Sequence, residues 1–157
     1  MDQRITYMQT AVQLSRRGMD QGNGGPFGAV VIKAGKIIGR GYNRVVSDHD
    51  PTAHAEMVAI REACRHLQDF QLKGCEIYAS CEPCPMCLGA IYWAGVDKIY
   101  YANTREDAEE IGFADAFIYE EMMRPVTSRR IPTLRMDIPE AIDVFREWAD
   151  KADKIRY

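Results

Sequence analysis

This 157-residue chain lacks most of what would place it in a membrane, outside the cell or on a nucleic acid. No window approaches the roughly 18 uncharged apolar residues of a membrane span. The N-terminal MDQRITYMQT has no basic segment followed by an apolar core, so a cytoplasmic location is the expectation. A dominant charge is missing too: 20 Lys and Arg stand against 23 Asp and Glu, a formal net charge of −3. Nothing overall therefore draws the chain to phosphate backbones, and nucleic acid is not expected as a partner. Arg124, Arg129, Arg130 and Arg135 do gather in one stretch, which reads as a solvated loop or a small basic patch. Histidine is scarce, at three residues. Five cysteines, an odd number without a secretory signal, argue against a disulfide framework and for reduced thiols that bind metal.

What is present is an ordinary globular composition, 46% hydrophobic and 27% charged, with no internal repeat. A chain of this length suits one domain burying roughly 70% of its unfolded surface, enough for a core with a shaped pocket. Over residues 5–19, Ile5, Met8, Ala11, Val12, Ser15 and Met19 recur at three and four, predicting an amphipathic helix over a sheet. Two β-branched runs joined at Ala34-Gly35-Lys36 predict a hairpin. A loop over 45–52 precedes a helix over 53–67; a strand over 76–80, a helix over 86–94, a strand over 99–101 and a short helix over 105–110 follow. Such alternation implies an α/β fold, a mixed sheet covered by helices on both faces. Residues 124–139 are proline-punctuated, and helical spacing returns at Ile142, Phe145 and Trp148. About 14 extended residues span roughly 45 Å, so this arm either carries the last helix to a second subunit or folds back on its own domain.

The chemistry gathers in two stretches. In SCEPCPMCLGA, residues 80–90, Cys81, Cys84 and Cys87 are spaced by three around Pro83 and Pro85. Proline at the first helical position starts a helix there, and residues three apart share its first turn. Cys84 and Cys87 then point together from the positive end of a helix, where thiolates are favoured. Upstream, His54 and Glu56 open the preceding helix. One imidazole and two thiolates leave a tetrahedral metal with an open position, as in catalytic zinc sites, and Glu56 lies alongside. A closed structural site using Cys81 as fourth ligand is the rival reading; Cys81 ends a strand before two prolines, which favours the open site. Cys64 and Cys75 read as buried thiols, His49 and His66 as surface residues.

His-x-Glu followed by Pro-Cys-x-x-Cys is the signature of zinc nucleobase deaminases. With GGPFGAV at 24–30, DPTAHAE at 50–56, SCEPCPMCLGAIYWA at 80–94 and an aromatic carboxy terminus, the chain resembles the cytidine deaminase-like superfamily over nearly its full length. Within it the chain is most similar to the bacterial guanine deaminases, although PTAHAE and EPCxMC are shared with tRNA adenosine deaminases. The resemblance implies a three-layer α/β/α sandwich with a mixed five-stranded sheet. It also implies one deaminase domain over 1–157, and a homodimer that exchanges the arm and helix of about 124–157. It implies hydrolysis of guanine to xanthine and ammonia, with Zn²⁺ as cofactor on His54, Cys84 and Cys87, and Glu56 as proton shuttle. Asp115, in GFADAF, is implied as a second carboxylate for catalysis or base contact. Phe27, Asn43, Ala55 and Tyr157 complete the implied base-binding set. From the residues alone, Phe27 is equally a core ring, Asn43 a turn residue and Asp115 a helix-end carboxylate.

Overall fold

The computed structural model describes residues 2–157, which divide into two compact units, one ending at Ala116 and the other Phe117–Tyr157. In chain order the first holds α1 (Gln3–Asp20), β1 (Gly28–Lys33), β2 (Lys36–Tyr42), α2 (Val45–Asp48), α3 (Ala55–Leu67), β3 (Cys75–Cys81), α4 (Pro85–Ala94), β4 (Lys98–Asn103) and α5 (Arg105–Glu110). Next come α6 (Ala116–Met123), which opens at the boundary, and α7 (Pro139–Asp150). The hairpin turn is Ala34-Gly35, both at positive φ, which suits the right-handed twist of the flanking strands.

The sheet runs β2-β1-β3-β4, with β1 antiparallel to both β2 and β3, and β4 parallel to β3. Side-chain alternation sorts the core into two layers. Ala29, Val31, Ile77 and Ala79 pack with Ala59, Ala63 and Ile91 of α3 and α4, while Val30, Ile32 and Tyr78 pack with Tyr7 of α1. The mixed sheet with helices on both faces is thus present, but with four strands, not the five expected. Among the described residues no strand follows β4: residues 132–138 take no regular secondary structure, and Pro132 and Pro139 have no amide hydrogen to donate to a ladder.

Other expectations shift for steric reasons. The face of α1 that is buried carries Tyr7, Ala11, Ser15 and Gly18, whereas Ile5, Val12 and Met19 stay exposed. The helix backbone lies so close to β1 that a Cβ on Gly28 would sit 2.1 Å from the Ala11 carbonyl oxygen, so small side chains must face the sheet. Residues 45–48 form one helical turn rather than open loop. In the second unit, α6 and α7 bury none of their residues.

The approach of α3 to β2 fixes where the start of α3 can stand. A Cβ on Gly41 would lie 2.1 Å from the Ala55 carbonyl oxygen and 2.7 Å from the Ala59 nitrogen; one on Gly39 would lie 2.3 Å from the Ala59 oxygen. Two glycines in β2 thus let the first turns of α3 rest on strand backbone. Gly41→Ala should push that helix end outward, lowering stability by about 1–3 kcal/mol and metal retention with it. Thermal unfolding and metal content of the variant check this, and an unchanged Tm would refute the contact's importance.

Candidate metal centre

His54 is the N-cap of α3 and Cys84 the N-cap of α4; both have extended backbone just before the helix begins. Two helix N-termini therefore converge, each bringing the positive end of its dipole. The His54 ring makes no capping bond and is free to point outward. Cys84 Sγ and Cys87 Sγ each lie 3.5 Å from His54 Nδ1. One ligand atom from each residue falls within 4.8 Å of the other two. A tetrahedral zinc with Zn–S of about 2.3 Å and Zn–N of about 2.0 Å sets N···S edges of about 3.5 Å, so donor type and spacing fit that ion.

The electrostatics agree. Cys87 N–H donates to Cys84 Sγ at 3.5 Å. Hydrogen bonding from the Cys87 thiol, then from His54, holds Cys84 down to about 4. The same contact and burial push Cys87 strongly upward. Cys84 in turn raises His54. A second thiolate here requires a cation. Cys81, buried, stands outside the group: its thiol donates to the Thr104 carbonyl at 3.4 Å, and burial pushes it up to about 11. That leaves His54, Cys84 and Cys87 as the group that could hold a metal ion, three donors being the number an open site uses.

Glu56, on the first turn of α3, is 7% exposed, and its Oε2 accepts from Cys87 Sγ at 3.5 Å. Desolvation is the main cause raising it to about 6. Asp115 is partly buried; burial, then the charge on Cys84, raises it. Phe27 enters β1 half-buried, with its ring edge-on to Phe113 at 5.0 Å. Asn43 is buried; its N–H donates to the Phe27 carbonyl at 3.0 Å, and its Oδ1 accepts from Val45 N–H at 3.1 Å. Ala55 is the first residue of α3, where a backbone amide lacks an intrahelical partner. Tyr157, 79% exposed, ends the second unit. The structure adds two residues that the sequence did not single out: Phe113, and Glu82, whose Oε2 accepts from Arg105 N–H at 3.2 Å. Phe113 lies two residues before Asp115 in GFADAF, the one sequence signal that pointed toward it.

An imidazole and two sulfurs on facing helix ends, beside a buried carboxylate, define a metal-dependent deaminase centre. Residues 1–103 match the cytidine and deoxycytidylate deaminase zinc-binding region, and the chain belongs to that family. It is 49% identical over 152 residues to guanine deaminase of Bacillus subtilis (strain 168), with 97% of each sequence aligned. The X-ray structure of guanine deaminase from Bacillus subtilis matches with a TM-score of 0.94 at 49% identity, covering 97% of both chains. A tRNA-specific adenosine deaminase of Aquifex aeolicus (strain VF5) is 34% identical over 146 residues, 92% of this chain and 93% of that one.

Two measurements test the site. Metal analysis should find one zinc per chain in the wild type and in Cys81→Ser, and little in His54→Ala or Cys84→Ser; a zinc-free Cys81→Ser would restore the closed site. In the metal-free protein, Glu56 has its folded pKa raised from 4.5 to about 6. The stability it contributes is therefore fully present below about pH 4.5 and lost as pH rises through about 6. Glu56→Gln should remove that loss and raise stability at pH 7 by about 2 kcal/mol. Denaturant unfolding at pH 4.5 and pH 7 reads the difference.

Proposed function

We propose that this chain is a zinc-dependent hydrolase that removes the exocyclic amine of guanine, giving xanthine and ammonia. The observation that carries the reading is the three-ligand centre with Glu56 buried against Cys87; the 49% identity to a guanine deaminase supplies the substrate. His54, Cys84 and Cys87 would hold the ion. Zinc bound there supplies a Lewis acid with one open position and makes water acidic near neutrality.

The chain's own groups do the rest. Glu56 accepts a proton from the attacking water and passes it to the ring nitrogen, then carries the remaining hydroxyl proton to the amine as the C–N bond breaks and the C=O bond forms. Its burial favours the protonated form that the second half of the cycle requires, while keeping the base form accessible near neutral pH. Phe27 offers a π face to the flat purine. Asn43 holds its Oδ1 against Val45 and has Nδ2 left to donate to the base edge. Ala55 offers its unpaired amide, and Asp115 accepts from purine N–H groups or assists the second proton transfer.

The second unit is assigned to a partner subunit's site. Ile131, Leu134 and Met136 are 77%, 86% and 77% exposed along a stretch without regular secondary structure, a run of apolar surface that a soluble monomer does not leave open. In this reading the chain is a homodimer that exchanges residues of about 124–157, and Tyr157 closes over the partner's base pocket.

Ammonia release should be measured on guanine, adenine, cytosine, cytidine and adenosine-bearing RNA. Guanine alone should react; release from RNA alone would make the chain an editing enzyme. Glu56→Gln should lose about 10²–10⁴-fold in kcat with zinc content unchanged, and near-normal activity would remove Glu56 from the mechanism. Light scattering on the purified protein should return a dimer, and a monomer would end the exchange.

A further inference from the structure

Helix α5 buries none of its residues. A cavity of about 220 Å³ separates it from α1, lined by Val12, Ser15 and Met19 on one side and Asp107, Ala108 and Ile111 on the other. Close packing does not hold this helix, and helices held that way open locally at low cost. Yet the segment leads directly to Asp115, which must stand at a defined place to meet a base.

Specific contacts at its two ends hold it, among them the Cys81 thiol on the Thr104 carbonyl. The β3–β4 ladder ends with Cys81 opposite Asn103. Glu82, the next residue, donates its N–H to the Asn103 carbonyl at 2.9 Å, and its Oε2 accepts from Arg105 N–H at 3.2 Å. One residue thus grips the corner from both sides and satisfies the first amide of α5, which helix geometry leaves without a partner. At the far end, Phe113 N–H donates to the Ala108 carbonyl at 2.9 Å, and its ring meets Phe27 edge-on. Asp115 follows two residues later.

We propose that Glu82 is a positioning residue: it clasps the 103–105 corner onto the turn that carries Cys84 and Cys87, and thereby sets where Asp115 stands at the metal centre. The inference rests on Asp115 acting as a carboxylate that meets the base or assists proton transfer. Its rival is a direct role in shaping the cysteine turn, which would show as lost metal.

The test uses zinc-loaded wild type, Glu82→Ala, Glu82→Gln, Asp115→Asn and the double variant Glu82→Ala/Asp115→Asn. Guanine kinetics, zinc content and amide hydrogen exchange are read on each. Glu82→Ala should lose about 10–100-fold in kcat/KM, while Glu82→Gln, which keeps an acceptor oxygen, should stay within about threefold. Beside Asp115→Asn, Glu82→Ala should cost less than about threefold more, because both act through one carboxylate. Exchange should quicken over 104–115 and not in α3 or α4, with one zinc per chain retained. Fully multiplicative losses, lost zinc, or unchanged exchange over 104–115 would each overturn the proposal. If the wild type releases no ammonia from guanine, the reading of the site as a guanine deaminase fails, and exchange alone judges the clasp. Faster exchange confined to 104–115 in Glu82→Ala and restored in Glu82→Gln upholds it; its absence ends it.

Discussion

Two sulfurs and a carboxylate cannot all be negative in one desolvated place without a cation among them. That constraint organises this molecule. In the protein alone the conflict shows as opposed shifts: Cys84 is held low, Cys87 is pushed up and Glu56 is raised toward neutrality. A divalent ion held by His54, Cys84 and Cys87 would resolve the same conflict by taking the place of the thiol protons, and Glu56 would then be free to carry protons instead of merely holding one. The chemistry proposed for the site thus grows from an unfavourable arrangement that the fold must hold in place.

The fold holds it by backbone proximity. Side chains alone could not bring His54 and Glu56 within reach of Cys84 and Cys87, because these pairs lie on different helices about thirty residues apart. β2 carries glycine where α3 crosses it, β3 delivers the cysteine turn at its end, and β1 joins the two strands as their common neighbour. The all-buried run Gly28–Ile32 at the centre makes that frame stiff. Other segments are less tightly packed. α5 borders a cavity, and the unit Phe117–Tyr157 leaves Phe145, Leu134 and Met123 open to solvent. A stiff frame carrying the ligand set, with less tightly packed segments elsewhere in the chain, is the distribution expected where chemistry needs fixed geometry.

Much of this was legible in the chain itself. Alternation and turn residues placed the hairpin, and Pro85 marked the start of α4. Errors arose where a neighbour outweighed a local preference. Of the α1 stripe, Ala11 and Ser15 are buried as expected, but Ile5, Val12 and Met19 are not, since bulk does not fit where the helix meets the strand backbone at Gly28. The fifth strand was borrowed from a resemblance, and a strand exists only where a partner edge meets it.

By itself the sequence determined the donor set and its two halves. His-x-Glu before a helix and Pro-Cys-x-x-Cys at the start of another have shapes dictated by covalent geometry and helical period, which need no distant contact. Only the tertiary structure decided that the halves meet at 3.5 Å, that Cys81 turns away toward Thr104, and that Glu82 and Phe113 brace the segment leading to Asp115. Those outcomes depend on sheet register and on which atoms can share a volume, and neither is encoded in the spacing of any one stretch.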